Sequence, residues 1–115
     1  MITFIMQTQA PSATATWHGQ DMLLALASLE LNPQLVLLGD ALAQLQRGKD
    51  VTREQRSLQK RYGLLGLYDC PAPLVIEEDL LEHGLSSDDF VSDVRIISRA
   101  ELLASLSQST KVMRF

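Results

Sequence analysis

Short apolar runs recur along the chain between stretches with helix-forming character, and this alternation sets the expected fold. Ile2-Thr3-Phe4-Ile5-Met6, Leu35-Val36-Leu37-Leu38, Leu74-Val75-Ile76 and Val94-Arg95-Ile96-Ile97 each have the length and β-branched content of a strand. The second and third are continuous rather than alternating, as in parallel strands covered on both faces. Lys111-Val112-Met113-Arg114-Phe115 supplies a fifth. Between them, Met22 to Leu29 is strongly helix-forming and ends before Asn32-Pro33, where proline disfavours helical geometry in the residue ahead of it. This helix is apolar nearly all round, so one side should meet the sheet and the other a subunit interface. The pattern predicts an α/β fold of about five mostly parallel strands with helices on both faces, within one domain covering residues 1–115.

Local signals place the remaining elements. Gln7 to Thr16 is small and polar around Pro11 and reads as a surface loop; it holds no glycine-rich phosphate cradle. Asp40 stands where it can cap a short helix over Ala41 to Gln46, ending near Gly48. Thr52-Arg53-Glu54-Gln55 has capping-box spacing and predicts a polar helix running to Tyr62, with Arg53, Arg56 and Lys60 on one face. Leu80 to His83 should form a short helix stopped by Gly84, followed by the acidic loop Ser86-Ser87-Asp88-Asp89. Ser98-Arg99-Ala100-Glu101 is a second capping box, opening a helix that carries Leu102, Leu103 and Leu106.

Composition narrows the function classes. With 46% apolar and 21% charged residues the chain is neither disordered nor membrane-spanning, since no run approaches the roughly 20 apolar residues a span needs. The first residues lack a basic leader, so a cytoplasmic location is expected. One cysteine, Cys70, and two separated histidines, His18 and His83, exclude an internal disulfide and offer no metal-ligand set. No cofactor site is expected either. The net charge of −4 is unevenly spread: six of the ten basic residues lie between Arg47 and Arg61, and seven of the fourteen acids between Glu77 and Asp93. The basic stretch has no interleaved aromatics, so a protein partner or solvent fits it better than nucleic acid.

The segment that concentrates these signals is Tyr62 to Asp79, a helix end, a proline-stiffened connector, a buried strand and an acidic helix start. In an open α/β sheet, ligands and reactive groups sit beyond the carboxyl ends of strands, which places any chemistry after Ile76. Leu64-Leu65-Gly66-Leu67-Tyr68-Asp69, the Leu80-x-x-x-Gly84-Leu85 pattern and the terminal Val112-Met113-Arg114-Phe115 together resemble the TusC (DsrF) branch of the DsrE/DsrF/DsrH sulfur-relay family. The Gly19 region, Gly39-Asp40 and Gln44-Leu45 fall at compatible spacing, so the resemblance spans essentially the whole chain.

The resemblance implies a three-layer α/β/α fold and a cytoplasmic complex with TusB- and TusD-like subunits, a dimer of heterotrimers that relays persulfide sulfur between carrier proteins. In the tRNA branch the sulfur becomes the 2-thio group of wobble uridine; in the DsrF branch the complex serves dissimilatory sulfur oxidation. It also implies that the TusD-type subunit holds the acceptor cysteine at the strand end, which here falls at or next to Ile76 and has no thiol. Glu77, Glu78 and Asp79 would further oppose a second anion there. The expected role is a non-catalytic subunit with no catalytic residue of its own. The alternative is a sulfurtransferase that carries persulfide on Cys70, although Cys70 precedes the strand and has no cation beside it in sequence.

Overall fold

The computed structural model describes residues 2–108 and 111–115. The chain runs β1 (Thr3–Gln7), α1 (Thr14–Ser28), β2 (Gln34–Leu37), β3 (Thr52–Arg53), β4 (Arg56–Ser57), α2 (Leu58–Tyr62), β5 (Leu74–Ile76), α3 (Glu77–His83), β6 (Arg95–Ile97), α4 (Arg99–Ser107) and β7 (Lys111–Arg114). Three 3₁₀ turns, Gly39–Gln44, Gly63–Tyr68 and Ser87–Asp89, fill the connections. The five expected strands form one parallel sheet in the order β6-β5-β2-β1-β7. β3 and β4 pair separately as an antiparallel hairpin.

Alternation along the central strands divides the core in two. Ile5, Leu35, Leu37 and Val75 point to one face, where they pack with Trp17, Leu23, Leu58, Tyr62, Leu65, Leu80 and Phe90. Phe4, Met6, Val36, Leu74, Ile76 and Ile97 point to the other, covered by Leu102 and Leu106 of α4. All four residues of β2 are buried, as the continuous apolar run requires of a central parallel strand. The two layers are unequal, with α1 and α2 on one side and the nine-residue α4 on the other.

The caps at the start of α4 and the end of α3 match the sequence, and a third lies inside the acidic loop. Ser98 and Glu101 form a reciprocal capping box at the start of α4. Gly84 ends α3 at φ 66°, with the Leu85 N–H returning to the Leu80 carbonyl. The 3₁₀ turn Ser87–Asp89 inside the acidic loop is closed by a second box between Ser86 and Asp89.

Three expectations are corrected. Helix α1 begins at Thr14, eight residues before Met22, because Trp17, Gln20, Leu23 and Ala27 continue a buried face toward the amino terminus. The stretch from Thr52 is not a helix: Glu54 and Gln55 both hold positive φ, 53° and 65°, and make a two-residue hairpin turn that sets Arg53 directly across from Arg56. Arg53, Arg56 and Lys60 therefore do not share a helix face, and α2 starts only at Leu58. Asp40 does not cap the turn that follows β2; it is exposed in the first turn, Leu38 occupies the cap position, and the cap has no side-chain hydrogen bond.

The start of α2 is fixed instead by Ser57 and Asp50. Ser57 Oγ accepts from the Lys60 N–H and donates to Asp50, whose other oxygen accepts from the Gln59 N–H. Partial burial pushes the Asp50 carboxyl up, but the hydrogen bonds from Ser57, Gln59 and Val51 and the charge of Lys60 outweigh it and hold the group below its ordinary value. A depressed folded value means stability that is present above the unfolded carboxylate value of about 3.9 and is lost as pH falls through the folded one. Denaturant melts should show Asp50→Asn less stable than wild type near neutral pH, with the gap closing below about pH 4. A gap that persists unchanged into acid would contradict this role.

Candidate functional site

The carboxyl ends of β2, β5 and β6 lie side by side and carry the residues Gly39, Asp79 and Arg99 just beyond them. Ile76, the last residue of β5, is 1% exposed and packs into the α4-side core, paired in register with Ile97. The position where the family resemblance puts a sister subunit's thiol is thus a buried hydrocarbon beneath α4. It offers neither a nucleophile nor access.

The acids that follow are structural. Asp79 is buried, and its Oδ2 accepts the Gly39 N–H at 3.0 Å while Oδ1 accepts from the Arg99 guanidinium at 3.2 Å. Glu78 accepts the Arg99 N–H at 3.1 and 3.2 Å, taking one of the free donors at the start of α4. One pair of carboxylates therefore stitches the ends of three neighbouring strands. Sequence spacing marked these acids as a helix start but gave no sign that Asp79 turns inward; its place three residues past a buried strand end is the only trace.

The loop after β1 is held from below by buried amides. Gln44 Nε2 donates to the Gln9 carbonyl at 2.9 Å and to Thr16 Oγ1 at 3.3 Å, and Thr16 Oγ1 donates to the Ala10 carbonyl at 2.7 Å. Gln7 Nε2 reaches the Thr16 carbonyl, Gln20 Nε2 the Leu58 carbonyl, and the Tyr62 hydroxyl donates to Gln44 Oε1. Burial pushes the Tyr62 phenol well above its ordinary value, so it stays a neutral donor. The loop is tied to this network and to Phe115, whose carbonyl accepts from the Thr8 N–H and hydroxyl. Sequence reading missed the network; the available signal was Gln20, an amide three residues from both Trp17 and Leu23 on the buried helix face.

Cys70 sits at the opposite, amino edge of the sheet, in the connector ahead of β5. It is half-buried and lines a hollow of about 390 Å³ together with Leu45, Leu65, Pro71, Pro73 and Val91. Burial, then the neighbouring Asp69 charge, pushes its thiol up, away from the thiolate that nucleophilic chemistry requires. His18 is exposed on α1 and His83 is exposed in the last turn of α3, far apart in the chain. No group of three or more potential metal ligands forms among the described residues. Arg61 stacks over Trp17 at 5.7 Å and pairs with Asp21, and Arg47 is held on the Asp88 carbonyl. The basic segment is thereby dispersed over several elements rather than gathered into one stripe. Among the described residues, no helix is long and apolar enough to cross a membrane.

This geometry defines a class: a three-layer α/β/α protein with a five-stranded parallel sheet whose strand-end crevice is closed by its own side chains. The fold matches the crystal structure of the ychN protein from E. coli with a TM-score of 0.83 at 22% identity, covering 99% of this chain and 97% of that one. A family model described as the DsrE/DsrF-like family matches residues 1–115, and the chain belongs to that family. Among similar proteins are the one named Protein TusC homolog in Vibrio vulnificus (strain CMCP6), 26% identical over 99% of this chain and 98% of its own length, and that in Aliivibrio fischeri (strain ATCC 700601 / ES114), 25% identical over 97% and 96%.

Removing the Asp79 carboxylate leaves the Gly39 N–H and the Arg99 guanidinium without this partner. Asp79→Ala should lower stability by about 1.5–3 kcal/mol, the usual range for a hydrogen bond to a charged group, and Asp79→Asn by less because one acceptor oxygen remains. Equilibrium denaturation of both variants checks this; equal losses would mean that the remaining oxygen recovers nothing once the charge is gone, and no loss in either would contradict the role given to the carboxylate.

Proposed function

We propose that the chain is a non-catalytic subunit of a cytoplasmic sulfur-relay complex, working as one domain over residues 1–115 beside TusB- and TusD-like subunits in a dimer of heterotrimers. The observation that carries this reading is the closed strand end: Ile76 is buried where a sister's acceptor thiol would stand, and Asp79 and Glu78 occupy the adjoining helix starts. A persulfide acceptor needs an accessible sulfur in a cationic setting; this edge offers hydrocarbon and carboxylates, and the guanidinium of Arg99 is already paired with Asp79. The relatives' shared name, TusC homolog, favours the branch that delivers sulfur to the 2-position of the tRNA wobble uridine over the DsrF branch of sulfur oxidation. In this role the chain contributes packing surface and docking geometry, meets the sulfur carriers only through its partners, and touches no tRNA itself.

A second reading, persulfide carriage on Cys70, draws on the hollow beside that thiol. The raised thiol and the adjoining Asp69 weigh against it. Co-expression with TusB- and TusD-like subunits followed by size exclusion at micromolar concentration tests the leading reading. A co-eluting assembly larger than any single chain is expected; three separate peaks would contradict it.

A further inference from the structure

The amino edge of the sheet carries an apolar surface that the fold leaves open. Leu67 is 77% exposed and Leu29 is 67% exposed, and Met22, Leu64 and Tyr68 are also solvent-facing. Leu64 and Leu67 lie three apart in the 3₁₀ turn Gly63–Tyr68 and so share one of its faces; Met22 stands on α1 and Leu29 is the residue that ends it. The two elements end beside each other, at a concavity of about 390 Å³ lined by Glu30, Asn32, Leu67, Tyr68 and Asp69. Leu67 and Tyr68 are the apolar side chains in that lining, and large exposed apolar groups at a concavity are a usual mark of a protein-binding surface.

Charge selects the occupant. Glu30 and Asp69 each stand just past a helical end, in the left-handed conformation at φ 60° and 55°. At both, the next N–H returns to a carbonyl five residues back, Leu31 to Leu26 and Cys70 to Leu65, the same closure that Gly84 makes after α3. Local stability would put glycine at these positions and a cation near the carbonyl end of a helix. The chain instead places two carboxylates there, and the last turn of α1 has no basic residue. Both acids and the negative end of α1 converge on one concavity, beside the exposed side chain of Leu67. A second copy seated patch to patch would bring the same acids together, which like-charge repulsion disfavours.

We infer that this surface docks a different chain, one presenting an apolar segment flanked by lysine or arginine, and that Leu67 is its anchor. The inference rests on the subunit reading above and names the face that reading leaves open. It places the interface at the amino edge of the sheet, away from the closed strand ends.

The test uses the full chain with co-expressed TusB- and TusD-like subunits and measures assembly by titration at several salt concentrations. Leu67→Glu should keep its circular dichroism spectrum and weaken assembly by about 30-fold or more, the effect of losing an interface hot spot. Leu103→Glu, at another open leucine, on α4, should assemble like wild type. Glu30→Gly with Asp69→Gly should resist denaturant better, by about fivefold in the unfolding equilibrium, yet bind more weakly and with a shallower salt dependence. Unchanged assembly of Leu67→Glu in a mixture where wild type assembles overturns this inference and leaves the subunit reading standing. Failure of wild type to assemble removes both. Self-association of the isolated chain that Leu67→Glu abolishes would make the occupant a second copy and overturn the heteromeric assignment.

Discussion

A buried carboxylate cannot stand alone in a protein interior; it must be met by donors or neutralised. Asp79 is met by the Gly39 N–H on one side and the Arg99 guanidinium on the other, and these belong to the segments that follow β2 and β6. Because Asp79 itself follows β5, the strand between those two, this one side chain sets how three strand ends lie together. Glu78 adds the Arg99 N–H, so the start of α4 is also positioned from the first turn of α3. The arrangement consumes the donors and the space that an anionic ligand or sulfur would use.

The consequence is a molecule whose two sheet edges differ in kind. At the carboxyl edge, Gln7, Thr16, Gln44 and Tyr62 tie the first loop to the core, and Ile76 is sealed beneath α4. At the amino edge, leucines stand in solvent, and two carboxylates occupy backbone positions that glycine would fill more comfortably. Order and closure prevail where the fold's sister chains are expected to react; exposure and strain lie where this chain has reason to bind. Membership of the DsrE/DsrF-like family fits that division of labour.

Much of the fold was legible in the residues. Apolar runs such as Leu35 to Leu38 carry their own explanation, since only a strand covered on both faces tolerates them, and Ser98, Glu101 and Gly84 mark ends by chemistry that acts over three or four residues. What escaped depends on distant contacts or on unusual backbone states. The Thr52 spacing copies a capping box, but Glu54 and Gln55 adopt left-handed geometry, and the helix that buries Leu58 and Tyr62 starts only after the hairpin. Asp40 sits where a cap belongs, yet Asp79, 39 residues later, supplies the acceptor for the Gly39 N–H. Strand order and the buried glutamine network are tertiary facts with no local signature. Of the site, the absence of a thiol at Ile76 was readable in the residues; the inward turn of Asp79 onto Gly39 and Arg99 was not.

The central claim is that this chain supports a relay without carrying its sulfur. Mass spectrometric mapping of persulfides, after the assembled complex is charged by its upstream donor and rapidly alkylated, tests it most directly. The account predicts modified cysteine on a sister subunit and unmodified Cys70. Persulfide on Cys70 that forms at the rate of transfer and is discharged by the downstream acceptor would contradict it.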